Sequence, residues 1–309
     1  MGVYAGSGSC CQPIPRCKVL ERGDPKILAV HWMCRVVGGL GTLSGGLERF
    51  ASGVASIALT PSDMRKVTGR AYDHMWSWSQ APYDHDEEES WLSEALPAPP
   101  ARILVGACGT GREVCALLRK GYEVWAFEPS QHALSECKEH NPSVAFAGCF
   151  AYEELVEESS HGTRGCALLP AGTRFDAILL GWGSLSHVTD EQTQLGLLNT
   201  LHGLAPGGPI LASFLFSHES PNEAGSRAFR AGQQIGRVIG DHSNRRPSTR
   251  VRLYSHLGFV YFFDEPRLRV LANSCGRCLE FHSTKHSRAT FWPPGVQRGR
   301  KRGADGQTI

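Results

Sequence analysis

The stretch Ile103–Glu113, ILVGACGTGRE, decides the fold. Its first half belongs to RILVG (Arg102 to Gly106), an apolar run too short for a helix and suited to a buried strand. The run passes through a glycine-rich turn straight into TGREVCALLRKG. There Val114, Leu117 and Leu118 share one helical face and Gly121 is the stop. Glycines let a backbone turn sharply and let a ligand approach it. The first N–H groups of the helix have no intrahelical partner and suit an anion or a carboxylate. The next strand-like run, EVWAFEPS, ends at Glu128, about seventeen residues beyond Gly111. A carboxylate there can accept hydrogen bonds from both hydroxyls of a ribose. Loop and acid together predict a nucleoside-containing cofactor at the carboxyl ends of the first two strands.

Outward from this unit, strand-like and helix-like runs alternate, the pattern of a parallel sheet with crossover helices. After Pro129 and Ser130 a helix is expected over Gln131 to about His140, ended by Asn141-Pro142. SVAFAG is a third strand, YEELVEES a helix and FDAILLGWG (Phe175 to Gly183) a fourth strand. A helix capped by Thr189 or Asp190 precedes APGG and a fifth strand, PILASFLF. A long polar stretch, Ser217 to about Ser255, reads as a lid or substrate-side insertion. GFVYFF, a helix DEPRLRVLANSCG and two closing strands, RCLEFHS and RATFWPP, complete the run, the last two as an antiparallel edge hairpin.

The choice of cofactor turns on one position. A dinucleotide fingerprint, GxGxxG, needs a third glycine for close helix–strand packing, and Val114 stands there. The spacing instead matches a GxGxG loop with Ala107 in place of the first glycine.

On VGACGTGRE, FEPS, FDAILLGWGSLSHV and LAPGGPILASF, the chain from about Ala101 to Pro294 resembles the class I S-adenosylmethionine-dependent methyltransferases. The resemblance implies a doubly wound α/β fold with a seven-stranded, mostly parallel sheet in the order 3-2-1-4-5-7-6, strand 7 antiparallel. It implies S-adenosyl-L-methionine as cofactor and methyl transfer as the activity. Val105, Gly106, Ala107, Gly109 and Gly111 would then contact the cofactor, the last three around its methionine part. Glu128 would bind the ribose with Pro129 beside it. Cys149 and Phe150, with Ala151, would line the adenine slot, and Gly181 and Trp182 would flank the cofactor. Two positions depart from the family pattern. Val105 or Gly106 stands where many members carry an acid near the end of strand one. Cys149 stands where Asp is frequent, which leaves adenine recognition to backbone and stacking.

Methyl transfer from a sulfonium asks the protein to position a nucleophile and exclude water, and a general base is optional. The candidates for that work are His187, just beyond strand four, and Tyr72, which with Asp73 lies in a segment expected to fold over the pocket. A capping or loop histidine and an ordinary packed tyrosine are the competing readings. The arginines Arg227, Arg230, Arg237, Arg245, Arg246, Arg250 and Arg252 suit either an anionic acceptor or a solvated face. Trp76, Trp78 and Trp182 suit either an apolar pocket or the core. A small-molecule acceptor is the leading expectation. A non-catalytic module on the same fold and a nicotinamide-dependent oxidoreductase are the alternatives, the second opposed by Val114.

The remaining chain bounds the setting. Residues 1–60 form an extension whose apolar residues fit neither helical nor strand period, and Gly38–Gly46 reads as flexible. A helical cap is expected over 61–97 with Ser62 as N-cap, the main domain over 98–294 with 217–255 inserted, and a basic flexible tail over 295–309. Hydrophobic residues make up 41% of the 309 and charged residues 20%, enough for a full core. A net charge of +2 argues against nucleic-acid binding by the whole chain. No run approaches the roughly 18 apolar residues of a membrane span. The start lacks a secretory pattern, and Gly6 breaks a myristoylation signal. Eleven scattered cysteines point to free thiols in a reducing compartment, the cytoplasm. Cys275 and Cys278 form one CxxC without a second ligand pair, so no metal is expected. Oligomeric state is not legible.

Overall fold

A computed structural model describes residues 29–30, 32–33, 44–73, 85–160, 168–217, 227–239, 250–254, 257–282 and 287–295. Nine strands carry the topology: β1 (Arg102–Gly106), β2 (Glu123–Phe127), β3 (Phe146–Gly148), β4 (Ala177–Leu180), β5 (Ile210–Ser213), β6 (Val251–Tyr254), β7 (Gly258–Tyr261), β8 (Cys278–His282) and β9 (Arg288–Trp292). The main sheet runs β3-β2-β1-β4-β5-β9-β8. Strands β1 to β5 are parallel, β9 is antiparallel to β5, and β8 is antiparallel to β9. The expected sheet order therefore holds, with β9 in the role of strand 7. The order reverses between β1 and β4, and open α/β sheets place ligands at the carboxyl ends of such a pair.

The central strands are apolar throughout because both faces are covered. Ile103 and Val105 point to one hydrophobic cluster, and Leu104 to the other. That alternation across the pleat puts a core on each side of the sheet. Helices α4 (Arg112–Arg119), α5 (Gln131–His140), α6 (Tyr152–Ser160), α7 (Glu191–Leu204) and α9 (Glu265–Ser274) connect the strands. Ser130, Asp190 and Asp264 cap α5, α7 and α9 by accepting from Ala133, Thr193 and Arg267 N–H.

A second layer forms from the N-terminal part of the chain and the region of the polar stretch. It comprises α1 (Ser44–Ala58), α2 (Pro61–Asp73), α8 (Arg227–Ile239) and the antiparallel β6–β7 pair, whereas α3 (His85–Ala95) packs Trp91, Leu92 and Ala95 into the cluster of Ile103 and Val105 on the other face of the sheet. Helix α1 lies within the extension that shows no clear period, and it absorbs Ser44–Gly46 of the stretch read as flexible. One of its glycines, Gly53, serves packing. A side chain at Gly53 would overlap the Phe229 carbonyl, and one at Gly232 the Phe50 carbonyl, so α1 and α8 cross in backbone contact. The polar stretch likewise holds α8 and β6. Helix α2 starts two residues earlier than a Ser62 cap implies. Thr60, not Ser62, is its cap: Asp63 N–H donates to Thr60 Oγ1 at 3.1 Å and Thr60 N–H returns to Asp63 Oδ2 at 3.0 Å. This reciprocal pair, with Pro61 at the first helical position, outcompetes a serine inside the turn.

Helices α1 and α2 are pinned to β6–β7 by side-chain hydroxyls. Leu253 N–H donates to Ser52 Oγ of α1 at 3.0 Å, and Phe259 N–H to Thr68 Oγ1 of α2 at 2.9 Å. Gly258, at φ 71°, lets α2 come this close, since a Cβ there would lie 2.7 Å from Thr68 Cα. From the other side, Tyr261 O–H donates to Glu191 at 2.7 Å, and Arg250 pairs with Asp264 at 2.6 Å. None of the described helices is long and apolar enough to cross a membrane.

Candidate active site

The turn after β1 is held in left-handed conformations at alternate residues: Ala107 at φ 49°, Gly109 at 54° and Gly111 at 91°. Ala107 thus takes the backbone geometry that a glycine would adopt more readily. It and Trp182, at φ 32°, are the non-glycine residues at positive φ among the described residues, and both lie at the switch point, after β1 and after β4. Strained backbone of this kind collects at functional sites. Gly111 packs against α5, where a Cβ would meet Asn141 and Cys137. Gly109 is different: a Cβ there would touch nothing within 4 Å, so the turn leaves open space above it.

Glu128, 5% exposed, reaches from the end of β2 beneath this turn. It accepts from Gly109 N–H at 2.9 Å and from Ser130 N–H at 3.0 Å. Glu113, in the first turn of α4, approaches from the opposite side, its Oε1 3.0 Å from where a Gly181 Cβ would stand. Both carboxylates bear on the turn. The Cys108 thiol is pushed up by its hydrogen bond to Cys137, by burial and by these two negative charges. Sequence reasoning passed over Glu113, because its sequence signal, an acid in a helix's first turn, is equally that of an ordinary helix start.

Beyond β4 and β5 lies a cavity of about 270 Å³, lined by Tyr72, Trp182, His187, Ser213, Ser287 and the apolar side chains of Phe214, Leu215, Phe216, Leu257 and Val260. The structure brings the two candidate catalytic residues together here, 2.7 Å between Tyr72 Oη and His187 Nε2. Thr68 and Tyr72 are four apart on α2 and so share a face. The hydroxyl that docks the helix therefore also aims the tyrosine. His187 Nδ1 lies 3.3 Å from the Phe259 carbonyl. A carbonyl only accepts, so Nδ1 carries the ring proton, and Nε2 of the neutral ring accepts from the Tyr72 O–H. Phe259 thus holds both partners through its backbone, its N–H on Thr68 and its C=O on His187. Ser213 Oγ accepts from Gly183 N–H at 2.8 Å and Ser186 Oγ from Leu215 N–H at 2.8 Å, which ties the turn bearing His187 to β5.

Burial pushes the His187 imidazole down to about 4, with the Phe259 hydrogen bond opposing. Burial pushes the Tyr72 phenol up, and the Glu128 charge adds to it. At neutral pH the pair is therefore a protonated phenol donating to a neutral imidazole.

The other expected residues are placed as follows. Val105 and Gly106 end β1, and a Cβ on Gly106 would meet the Tyr152 ring. The Pro129 carbonyl lies 3.7 Å from Cys149 Sγ. The Phe150 ring stacks on Phe127 with centroids 4.5 Å apart, which commits that side chain to the core. Trp182 is 39% exposed, under the Arg112 guanidinium at 5.8 Å. No described arginine of the 217–255 stretch lines the cavity. Arg250 is engaged with Asp264, and Arg252 lies over the Phe262 ring. Trp76, Trp78, Arg245, Arg246, the Asp73 side chain and residues 296–309 of the basic tail lie outside the described residues. Cys275 is buried and Cys278 exposed.

The sheet order, its antiparallel β9 and the glycine turn at the reversal agree on one architecture. The fold is that of the class I methyltransferases. The chain is similar to a solved complex of DhpI with SAM and HEP, at 16% identity and TM-score 0.49, covering 75% of this chain and 97% of that one. It is similar to the CcbJ methyltransferase from Streptomyces caelestis, at 15% identity and TM-score 0.48, covering 72% and 97%. It is similar also to SAM-bound CalS10, an amino pentose methyltransferase from Micromonospora echinaspora, at 12% identity and TM-score 0.48, covering 71% and 95%. No family model and no curated protein matches. The fold assignment rests on this chain's own sheet.

Proposed function

We propose that the protein is an S-adenosylmethionine-dependent methyltransferase that acts on a small molecule held in the Tyr72–His187 cavity, in the cytoplasm. The observation that carries this reading is the glycine turn set between two buried carboxylates, Glu128 and Glu113, with open space over Gly109. A pyrophosphate brings negative charge to such a turn and is repelled there. An adenosyl sulfonium amino acid brings net positive charge and two ribose hydroxyls, which suit the same groups. The residues present fit that cofactor: Glu128 for the ribose, the turn from Ala107 to Gly111 for the amino-acid end, and Gly181 and Trp182 as the flank toward the cavity.

When bound, the cofactor supplies an electrophilic methyl group that is transferred by in-line displacement. The chain's own task is to place the acceptor atom. The Tyr72 oxygen, whose proton is directed at His187, accepts a hydrogen bond from the acceptor's O–H or N–H and so turns its lone pair toward the turn. An imidazole as weakly basic as His187 does not ionise an alcohol beforehand. It receives the Tyr72 proton at Nε2 as Tyr72 takes the acceptor's proton, once the methylated atom has become acidic. The apolar wall from Phe214 to Phe216, with Val260, excludes water from the encounter.

Titration calorimetry with S-adenosylmethionine, S-adenosylhomocysteine and NADH tests the reading. Binding of the two adenosyl amino acids and none of NADH is expected. Binding of NADH alone, or of none of the three, overturns it.

A further inference from the structure

Glu113 is a buried carboxylate for which the reaction above gives no atom to hold. It sits in the first turn of α4, 9% exposed, and its Oε1 projects over the end of β4, 3.0 Å from where a Gly181 Cβ would stand. Arg112 Nη2 lies 2.6 Å from that oxygen, and the Arg112 guanidinium stands 5.8 Å from the Trp182 ring centroid. A buried carboxylate is costly unless its charge is matched. Here a negative and a positive group stand side by side at the rim of the turn, between its glycines and the Gly181-Trp182 flank. The strand-one positions, Val105 and Gly106, supply no charge of their own.

We infer that Glu113 and Arg112 form the subsite for a zwitterionic α-amino-acid group, the carboxylate of Glu113 holding its ammonium and the guanidinium of Arg112 its carboxylate. The inference rests on the proposed cofactor and adds which residues select its amino-acid end. It makes the first turn of α4, rather than the end of β1, the source of charge for that end. Adenosine compounds without an amino-acid group would gain nothing from the pair.

Calorimetry on the full chain with S-adenosylhomocysteine and with 5′-methylthioadenosine, which lacks the amino-acid end, separates the possibilities. Glu113→Gln is expected to weaken S-adenosylhomocysteine about 10-fold or more and to leave 5′-methylthioadenosine within about 2-fold, below the free energy of one hydrogen bond. Arg112→Met is expected to show the same selectivity. Equal affinity of wild type and Glu113→Gln for S-adenosylhomocysteine overturns the inference and leaves the cofactor reading intact. Parallel weakening of both ligands also overturns it, because it marks a role in shaping the turn. Failure of the wild type to bind either ligand removes the cofactor reading itself. Should Glu113→Gln not fold, Glu113→Asp, which keeps the charge and shortens the reach, replaces it with the same expected and overturning results.

Discussion

Most of the wall on the proposed cofactor side comes from one run of chain, Val105 to Glu128, with Gly181 and Trp182 at its flank, whereas the acceptor side is assembled from remote segments. Tyr72 and His187 are 115 positions apart, and the Thr68–Phe259 bond that aims Tyr72 spans 191. The cofactor side is anchored in the central parallel strands, where Ile103, Leu104 and Val105 are fully buried. The acceptor side joins β5 and the turn after β4 to a docked layer, which is fastened by single hydroxyls such as Ser52 and Thr68 and by close approach at glycine. The difference teaches that, under the proposed function, holding the cofactor and choosing the acceptor draw on separable structures, one as stable as the sheet and one able to loosen by itself.

Substitutions that strike one wall only sharpen this contrast. The largest effect is expected from Gly258→Val, which forces a β-branched side chain into φ 71° and against Thr68. About 3 kcal/mol of docking stability is lost. Hydrogen exchange should show α2 and β6–β7 opening while β1 and β4 stay protected; simultaneous exposure of the central strands would mean a single cooperative unit. Glu128→Ala strikes the other wall. It leaves Gly109 and Ser130 N–H without their carboxylate and removes the proposed ribose acceptor, so S-adenosylhomocysteine affinity is expected to fall by about 1.5–3 kcal/mol. Unchanged affinity in calorimetry would take Glu128 out of the site. Tyr72→Phe is expected to lower kcat/KM about ten-fold, in proportion to one hydrogen bond, while S-adenosylhomocysteine affinity stays within about two-fold, less than one such bond. Loss of both together would merge the two walls.

The smallest effect is a pH dependence. The folded protein holds His187 neutral down to about pH 4, while the unfolded chain protonates it below its ordinary value of 6.5. The unfolded state therefore binds more protons between those values, and stability declines as pH falls from 6.5 toward 4. Between pH 7 and 5.5 the decline from this residue is about 1 kcal/mol. His187→Phe should remove that part of the slope in urea unfolding. An identical slope in the variant would place the imidazole in water.

Legibility in the sequence follows the same division. The β1 turn, Glu128 and the edge hairpin could be read because each signal is local: a strand, a glycine turn, an acid at a fixed spacing, two adjacent strands. Helix α1 could not, because Gly45, Gly46 and Gly53 lower helix propensity and blur the apolar period. The use of Gly53 is visible only beside Gly232 and Gly236 of α8, far along the chain. The Ser62 cap was misplaced by two residues although Thr60, Pro61 and Asp63 carry the capping signal in plain order. Tyr72 and His187 could be named as candidates one at a time, but nothing local reveals that Phe259 joins them. Glu113 was hidden by the commonness of an acid in a helix's first turn.

A crystal structure with S-adenosylhomocysteine tests most directly whether the two walls form one active site. The account predicts both ribose hydroxyls on the Glu128 carboxylate and the thioether sulfur turned toward the cavity in front of Tyr72. A ligand bound away from the Gly109 turn, or a sulfur turned away from Tyr72 and His187, would contradict it.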